Sequence, residues 1–300
     1  MFGFQRVGDF MWAAADSRAR RFLIGATAGR TTLSGEGLQH QDGTSHVVAA
    51  TIPNCRSYDP CFGYELAVIL QDGARRMLEA QEDVFYYITV MNENYAQPPL
   101  PSASAAIEGI LRGMYLVRSS PHHSTGARDA SGGGSARRVQ LMGSGTILRE
   151  VLAAAEMLER DYDVAADVWS VTSFTELARD GMAVERWNRL HPLAPPRETW
   201  VERCLKDRAG PAIAATDYVR SYAEQIRGLV KRPYVVLGTD GMGRSDTRSA
   251  LRAFFEVDRR HVAVAALRAL AEREVLPPAA AAAALSKFGI DPEVAEPWRR

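Results

Sequence analysis

A polar, glycine-rich stretch lies between two apolar segments near the start of the chain. It reads Gly35-Glu36-Gly37-Leu38-Gln39-His40-Gln41-Asp42-Gly43-Thr44-Ser45-His46. Residues 21–27 before it read as a buried strand, and residues 47–52 after it are apolar again. This order predicts a loop at the carboxyl end of a strand, which is where open α/β sheets place their ligands. Glycine allows close backbone approach and histidine titrates near neutral pH, so the loop favours proton transfer or binding of a small polar substrate.

A structural role for the same loop stays open at this level. The spacing of His40 and His46 is not a usual zinc spacing, and no cysteine lies within the stretch. A metal site is therefore disfavoured. Composition alone does not separate a catalytic loop from a structural one.

The loop resembles a signature of the thiamine-diphosphate enzymes of the transketolase group. Those enzymes carry Asp-Gly-Pro-Thr-His, where this chain has Asp42-Gly43-Thr44-Ser45-His46. The longer run over residues 29–40 is more specific, and it is similar to the homodimeric E1 component of bacterial pyruvate dehydrogenase complexes. Other segments fit that family in the same order along nearly the whole chain: residues 1–6, 86–89, 92–95, 170–177 and 237–241.

Composition limits the classes of partner. Hydrophobic residues make up 46% of the 300 residues, which supports a real core, and Lys+Arg equals Asp+Glu at 36 each. Nothing in this balance indicates nucleic acid or an acidic membrane surface. No apolar run reaches the ~18–20 residues that cross a bilayer. The sparse, odd set of Cys55, Cys61 and Cys204 favours a reducing cytoplasm over a disulfide framework.

Hydrophobic periodicity predicts alternating strands and helices. Helices are expected over residues 2–14, 64–81, 107–114, 148–158 and 174–188, and in the alanine-rich tail. Strands are expected over residues 21–27, 54–58, 84–91, 115–117, 139–142, 167–172, 211–216 and 234–237. This order predicts a parallel sheet covered by helices, and then a second parallel or mixed sheet of about four strands.

Several polar segments keep two interpretations. Residues 92–95 could form a pocket or subunit-contact loop, or an ordinary exit turn. The turn over residues 143–146 could bind phosphate at a helix N-terminus, although a plain turn capped by Ser144 or Thr146 is favoured. His122 and His123 lie in a segment rich in Pro, Ser and Gly, where no ligand role is indicated. Residues 238–246 resemble a subunit-interface feature near the approach to the active site.

The resemblance implies a fold and a domain order. The expected class is α/β, with a partial thiamine-diphosphate pyrimidine-binding domain followed by a transketolase C-terminal-like α/β domain. We expect residues 1–118 to be the C-terminal half of the middle domain, residues 119–137 a flexible linker, and residues 138–300 the C-terminal-like domain. The Gly-Asp-Gly signature for Mg²⁺ and diphosphate lies upstream in relatives. The chain is therefore expected to be the C-terminal part of an E1 chain that binds thiamine diphosphate poorly alone.

The resemblance also implies an activity. Family members use thiamine diphosphate and Mg²⁺ to decarboxylate pyruvate, and pass the two-carbon unit to the lipoyl group of the E2 dihydrolipoyl acetyltransferase. A second E1 subunit and a cytoplasmic location are implied as well. The cofactor carries the hard chemistry. A non-catalytic assembly or interaction module derived from an E1 C-terminal region is the alternative, and a transketolase fits less well.

The resemblance assigns roles to five residues. His40 matches the family histidine that reaches the substrate-derived group, where it can hydrogen bond or transfer a proton. Glu36, Asp42 and His46 are expected to set the charge and tautomer of the loop. Phe2 is expected to form an aromatic wall for the aminopyrimidine ring. Gln41 and Thr44 replace an acid and a histidine that are frequent in the family, which lowers the local charge.

Overall fold

The chain forms two units, each built on its own sheet with mainly parallel strands. The computed structural model describes residues 2–26, 28–33, 40–101, 104–121 and 137–300, without the side chains of residues 2, 3, 5 and 6. Within this part of the chain, one sheet has three strands in the order β1-β3-β2 and the other has five in the order β4-β6-β5-β7-β8. The parallel sheets expected from alternating strands and helices are therefore present.

The first unit contains all-parallel strands with helices around them. Its strands are β1 (Phe22–Ala26), β2 (Cys55–Tyr58) and β3 (Phe85–Val90). Both outer strands pair in parallel with β3. Its helices are α1 (Phe2–Asp16), α2 (Ser45–Ala50), α3 (Gly63–Ala74), which continues as a π-helical turn over Arg75–Glu79, and α4 (Ser104–Arg112).

Three details of the first unit differ from the sequence-based expectation. β1 lies at the sheet edge and is not fully buried, since Ile24 is 48% exposed. Phe10 lies in the predicted first helix at the spacing of its apolar residues, but its side chain is 71% exposed. The apolar run after His46 begins inside the short helix α2. Its small residues fit a helix because Ala49 and Ile52 pack against Phe85 in one buried cluster.

The second unit contains a mixed sheet. Its strands are β4 (Tyr115–Arg118), β5 (Arg138–Gly143), β6 (Ala165–Ser170), β7 (Ala212–Ala215) and β8 (Tyr234–Leu237). All pairs are parallel except β4, which runs antiparallel to β6. The strand over residues 115–118, placed with the first domain in the sequence analysis, thus joins the second sheet.

Helices cover both faces of the second sheet. They are α5 (Ile147–Tyr162), α6 (Phe174–Leu190), α7 (Trp200–Leu205), α8 (Ser221–Glu224), α9 (Arg248–Phe254), α10 (Arg259–Ala271) and α11 (Pro278–Phe288). α5 and α10 bury an apolar cluster against one face, including Val151, Leu158 and Leu267. The other face holds Phe174, Tyr218 and Tyr222. Among the described helices, none is both long and apolar enough to cross a membrane.

The turn that enters α5 is not capped by its own hydroxyl groups, contrary to expectation. Thr146 occupies the N-cap position without a side-chain capping bond. Its hydroxyl lies 2.6 Å from Thr32 Oγ1 of the first unit, and Ser144 Oγ lies 3.0 Å from Thr216 Oγ1. Both hydroxyls bond to other segments of the chain. The turn therefore contributes to the contact between the two units.

Candidate active-site loop

The loop after β1, residues 28–46, contains the glycine-rich stretch of the sequence analysis and has two described segments, of which residues 28–33 are the first. Ala28 N donates to Val90 O at 3.1 Å, so this segment leaves β1 beside the carboxyl end of β3. Its residues 28–33 are all buried. The segment thus enters the seam between the units at the sheet edge where ligands are expected.

Asp217 of the second unit holds this first segment. Its Oδ1 accepts from the backbone N and the hydroxyl of Thr31 at 2.8 and 2.6 Å. Its Oδ2 accepts from the corresponding groups of Thr32 at 3.2 and 2.7 Å. A side chain at Gly29 would collide with the same carboxylate, and Gly29 has a φ of +86°. Asp217 is fully buried, which raises the pKa of its carboxyl group.

Arg30 ties the same segment to the loop after β8. Its guanidinium donates to Thr239 O at 2.8 Å and also to Gly241 O. It lies against Gly43, where any side chain would overlap it. A backbone bond from Val219 N to Gly43 O, 2.9 Å long, adds a second link. The two described segments of the loop are therefore fastened to each other and to the second unit.

Two arginines of α9 complete the support of the first segment. Arg248 Nε donates to Thr32 O at 2.7 Å, and its Nη2 donates to Asn92 Oδ1 at 3.1 Å. Arg252 is 5% exposed and forms ion pairs with Glu93 and Glu150. Residues 92 and 93 therefore connect β3 of the first unit with α5 and α9 of the second.

The second described segment is residues 40–46, where Asp42 starts helix α2. Asp42 Oδ1 accepts from the backbone N of Thr44 and of Ser45, both at 3.0 Å. Its Oδ2 accepts from Ser45 Oγ. The carboxylate satisfies donors at the helix start that would otherwise lack partners, and it is 0% exposed. The geometry gives Asp42 a local structural task.

His46 lies in the interior of the protein. Its Nδ1 is 2.5 Å from Ser57 Oγ and its Nε2 is 2.9 Å from Thr89 Oγ1. The ring stacks on Tyr222 at a centroid distance of 4.8 Å. Burial lowers the pKa of His46 to about 3, so the imidazole is neutral at physiological pH.

A short hydrogen-bond chain leads from His46 to a buried acid. Thr89 Oγ1 donates to Asp59 Oδ1 at 2.7 Å, so its oxygen is left to accept from His46 Nε2. This places the His46 proton on Nε2 and leaves Nδ1 to accept from Ser57. Asp59 Oδ2 is buried without a hydrogen-bond partner among the described residues, and burial raises the pKa of Asp59 to about 7.

His40 and Gln41 mark the return of the loop to the described part of the chain. His40 is partly exposed, whereas Gln41 is 3% exposed. Gln41 Nε2 donates to Leu33 O at 3.1 Å, and Gln41 Oε1 accepts from Arg244 N at 2.7 Å. The side chain of Gln41 thus joins both segments of the loop to residues 238–246.

Two of the five expected site residues cannot be placed. Glu36 lies outside the described residues, and so does the side chain of Phe2. His122 and His123 lie outside them as well. His261 has its Nδ1 2.8 Å from Oδ1 of Asp258, the N-cap residue of α10. In the described part of the chain, no three His, Cys, Asp or Glu side chains are grouped to hold a metal ion.

Sequence reasoning missed the residues that hold the loop. Asp217 lies two residues after the end of the buried strand β7, much as the glycine-rich loop follows β1, and that corresponding position was the available signal. Asp59 lies one residue past the predicted strand over residues 54–58, and the sequence analysis gave it no role in the site. Nothing local links Gln41 to Arg244, which lie 203 residues apart.

Comparison with known families decides the assignment. Residues 1–98 match the model of the pyruvate dehydrogenase E1 component middle domain, and residues 125–258 match that of the transketolase-like C-terminal domain. The pyruvate dehydrogenase E1 component of Pseudomonas aeruginosa is 60% identical over 99% of this chain. The chain therefore matches the middle-domain and C-terminal-domain region of pyruvate dehydrogenase E1 components. The E1 component of Escherichia coli K12 is 54% identical over 99% of the chain, and the chain spans 32% of the length of each of these two relatives.

Solved structures confirm the expected fold class. Transketolase from Leishmania mexicana superposes with a TM-score of 0.62 at 19% identity, covering 91% of this chain and 33% of that one. A split-gene transketolase described as an inactive β4 tetramer gives 0.53 at 17% identity, covering 83% and 66%. The family match confirms that the middle-domain and C-terminal-domain folds of an E1 component are both represented.

Proposed function

We propose that this chain acts in a pyruvate dehydrogenase (acetyl-transferring) E1 component. The reaction is the thiamine-diphosphate-dependent oxidative decarboxylation of pyruvate, with transfer of the acetyl group to the lipoyl group of E2. Identity of 54–60% to E1 components, over 99% of the chain, supports this assignment. The chain would supply the substrate-facing wall of the site.

One structural observation carries this proposal. Residues 28–33 leave the carboxyl edge of the first sheet and are held from the second unit by Asp217, through Thr31 and Thr32. Residues 40–46 are joined to the second unit by the bond from Val219 N to Gly43 O. A catalytic group must be held within fractions of an ångström to act on a bound substrate. A loop fixed from both sides provides such a support for His40.

His40 is the group that we assign to contact with the substrate. It would hydrogen bond to the oxygen that develops from the keto group of pyruvate, or transfer a proton to it. Asp42 and His46 have their polar atoms engaged with α2 and with Ser57 and Thr89. We therefore assign positioning roles to them, and Glu36 keeps its proposed role in the charge of the loop.

The described residues do not fit the metal end of the cofactor. They offer no cluster of ligating side chains, and the expected contact of the aminopyrimidine ring, Phe2, has no described side chain. No step of this proposal therefore passes through Mg²⁺ or thiamine diphosphate. Both are proposed as cofactors of the whole enzyme on the family assignment alone.

Domain order and partners belong to the same proposal. Residues 1–118 would derive from the middle domain, with their last strand, β4, added to the sheet of the second unit. Residues 138–300 would derive from the C-terminal domain, joined by residues 119–137. The partners would be the E2 dihydrolipoyl acetyltransferase and a second E1 subunit, in the cytoplasm. The contacts of Glu93 with Arg149 and Arg252 support one compact seam between the two units.

A reconstitution assay tests the function. Pyruvate decarboxylation is measured with thiamine diphosphate and Mg²⁺, for this chain alone and with a polypeptide carrying the part of the Pseudomonas aeruginosa relative that the chain does not match. We expect turnover in the mixture that far exceeds that of either polypeptide. Stable association without any turnover would instead favour the non-catalytic assembly module.

A further inference from the structure

Gln41 occupies a position where three parts of the chain meet. Its side chain is 3% exposed and lies between Leu33 of the first loop segment and Arg244 of the loop after β8. His40 is its neighbour in sequence. A change at Gln41 therefore acts next to His40, the proposed substrate contact.

The carboxamide of Gln41 acts both as a hydrogen-bond donor and as an acceptor. The Nε2 group donates to Leu33 O at 3.1 Å. The Oε1 atom accepts from Arg244 N at 2.7 Å. An amide is one of the few side chains that can do both at neutral pH, since an ionised carboxylate only accepts and an ammonium only donates. Both partners are backbone groups, so the bonds fix the course of the main chain itself.

The bond to Leu33 closes the base of the loop. Leu33 is the last residue of the first described segment and Gln41 is the second residue of the next. A side-chain bond between these positions holds the two ends of the intervening chain together. It therefore restricts where His40 can lie.

The bond to Arg244 adds the second unit to this closure. Arg244 is held in turn by its guanidinium, which lies 4.1 Å from the centroid of the Phe254 ring on α9. Arg30 reaches the same loop at Thr239 O. The loop after β8 thus binds the glycine-rich loop at two separate points.

We propose that Gln41 is a positioning residue that sets the placement of His40 by bonding Leu33 and Arg244 at the same time. This inference rests on the proposed function only for the role of His40. The two-sided bond itself can be tested without cofactor or turnover. A failure of the assay in the previous section is therefore distinguishable from a failure of this inference.

Two variants separate the two bonds. Gln41→Met keeps most of the side-chain volume and removes both bonds. Gln41→Glu keeps an acceptor for Arg244 N and removes the donor to Leu33 O at neutral pH. The matched control is Gln140→Met, because Gln140 is also a buried bridging amide, bonded to Asp167, Ala209 and Trp169 inside the second sheet.

The readouts are amide hydrogen exchange at Arg244 and the ring resonances of His40 in the full chain. One lost hydrogen bond changes local stability by ~1 kcal/mol, so Gln41→Met should speed exchange at Arg244 by roughly fivefold or more. Gln41→Glu should restore this protection to within about twofold of the native chain. The His40 resonances should shift in both Gln41 variants and stay unchanged in Gln140→Met.

Three results would overturn the inference. One is native exchange at Arg244 in Gln41→Met with unmoved His40 resonances. Another is the same pattern of changes in Gln140→Met, which would indicate general loosening. The third is a failure of Gln41→Glu to restore protection at Arg244. Should Gln41→Met fail to fold, the Gln41→Glu comparison still decides, because that variant removes only one bond.

Discussion

The two described segments of the glycine-rich loop are supported by side chains from different units. Residues 28–33 are fixed by a buried carboxylate of the second unit, Asp217, which accepts four hydrogen bonds. Residues 40–46 end at His46, a neutral imidazole that bonds Ser57 and Thr89 of the first unit. The carboxylate that holds residues 28–33 belongs to the second unit. The hydroxyl groups that hold His46 belong to the first unit, as the loop itself does.

The difference shows why the two histidines of one motif have different tasks. His46 is 0% exposed and its ring nitrogens are engaged, so it anchors the end of the loop. His40 is partly exposed and is the sequence neighbour of Gln41, whose bond from Arg244 N joins the two units. A loop anchored in both units depends on the seam between them, and each anchor can be broken separately.

The largest effect on stability is expected from a change of Asp217, which holds residues 28–33. Asp217→Ala removes the acceptor for two backbone and two hydroxyl donors, of which the Thr32 hydroxyl keeps Thr146 Oγ1 as a partner at 2.6 Å. The expected loss is ~5 kcal/mol of unfolding free energy, since a buried donor left unsatisfied costs roughly 1–3 kcal/mol and such costs are not additive. Urea unfolding of the chain measures this. Asp217→Asn keeps the shape and should lose less. A loss below ~1 kcal/mol in Asp217→Ala would show that Asp217 is not the anchor.

A pH dependence is expected from Asp59, whose Oδ1 is 2.7 Å from Thr89 Oγ1 and 3.5 Å from Tyr218 OH. Its pKa of about 7 in the folded chain lies above the ordinary value of 3.8. Its contribution to stability is therefore complete below pH ~4 and is lost as pH rises through 7, by up to ~4 kcal/mol. Asp59→Asn should abolish this decrease, as seen by urea unfolding between pH 4 and 8. Parallel profiles for variant and native chain would contradict it.

For His46, which supports residues 40–46, the expected pH dependence of the unfolding free energy has the opposite sign. The pKa of His46 is depressed by burial from 6.5 to about 3. The stability that depends on its neutral form is therefore present above pH 6.5 and is lost as pH falls toward 3. The loss amounts to ~1.4 kcal/mol per pH unit, or ~3 kcal/mol by pH 4. The difference in unfolding free energy between the native chain and His46→Gln should shrink over that range. A constant difference from pH 7 to pH 4 would exclude this role.

The smallest effect is expected at the outer contact of the first segment. Arg248→Ala removes the donors to Thr32 O and Asn92 Oδ1, and should cost ~1 kcal/mol of stability. The matched control is Arg268→Ala, because Arg268 forms an exposed i,i+4 pair with Glu272 and such pairs contribute little. Thermal unfolding of both variants measures the difference. Equal shifts would place Arg248 among ordinary surface residues.

The sequence predicts elements better than it predicts the contacts between them. Strands β1, β2 and β3 follow from their apolar patterns, and the loop between β1 and β2 follows from its glycines. Helix α2 was missed because Asp42 supplies its start through side-chain bonds that composition does not reveal. The joining of β4 to the second sheet was missed for a related reason, because pairing partners far apart in sequence leave no local pattern.

The candidate site was predicted as a stretch of sequence, but not as a set of roles. The motif drew His40, Asp42 and His46 together because they are neighbours in the chain. Their separate surroundings depend on Ser57, Thr89 and α2, which sequence spacing cannot place. Asp217 accepts four hydrogen bonds from the first loop segment, and it lies 185 residues from Thr32 in the sequence.

The most direct test of the whole account is the effect of His40 on turnover. In the reconstituted assay, His40→Ala should lower kcat for pyruvate by ~10²–10⁴-fold, the range for loss of a positioned acid–base group. His191→Ala is the control, since His191 is an exposed histidine at the end of α6, and it should match the native chain. If His40→Ala retained kcat within about threefold of the native chain, the proposed role of this loop in catalysis would be contradicted.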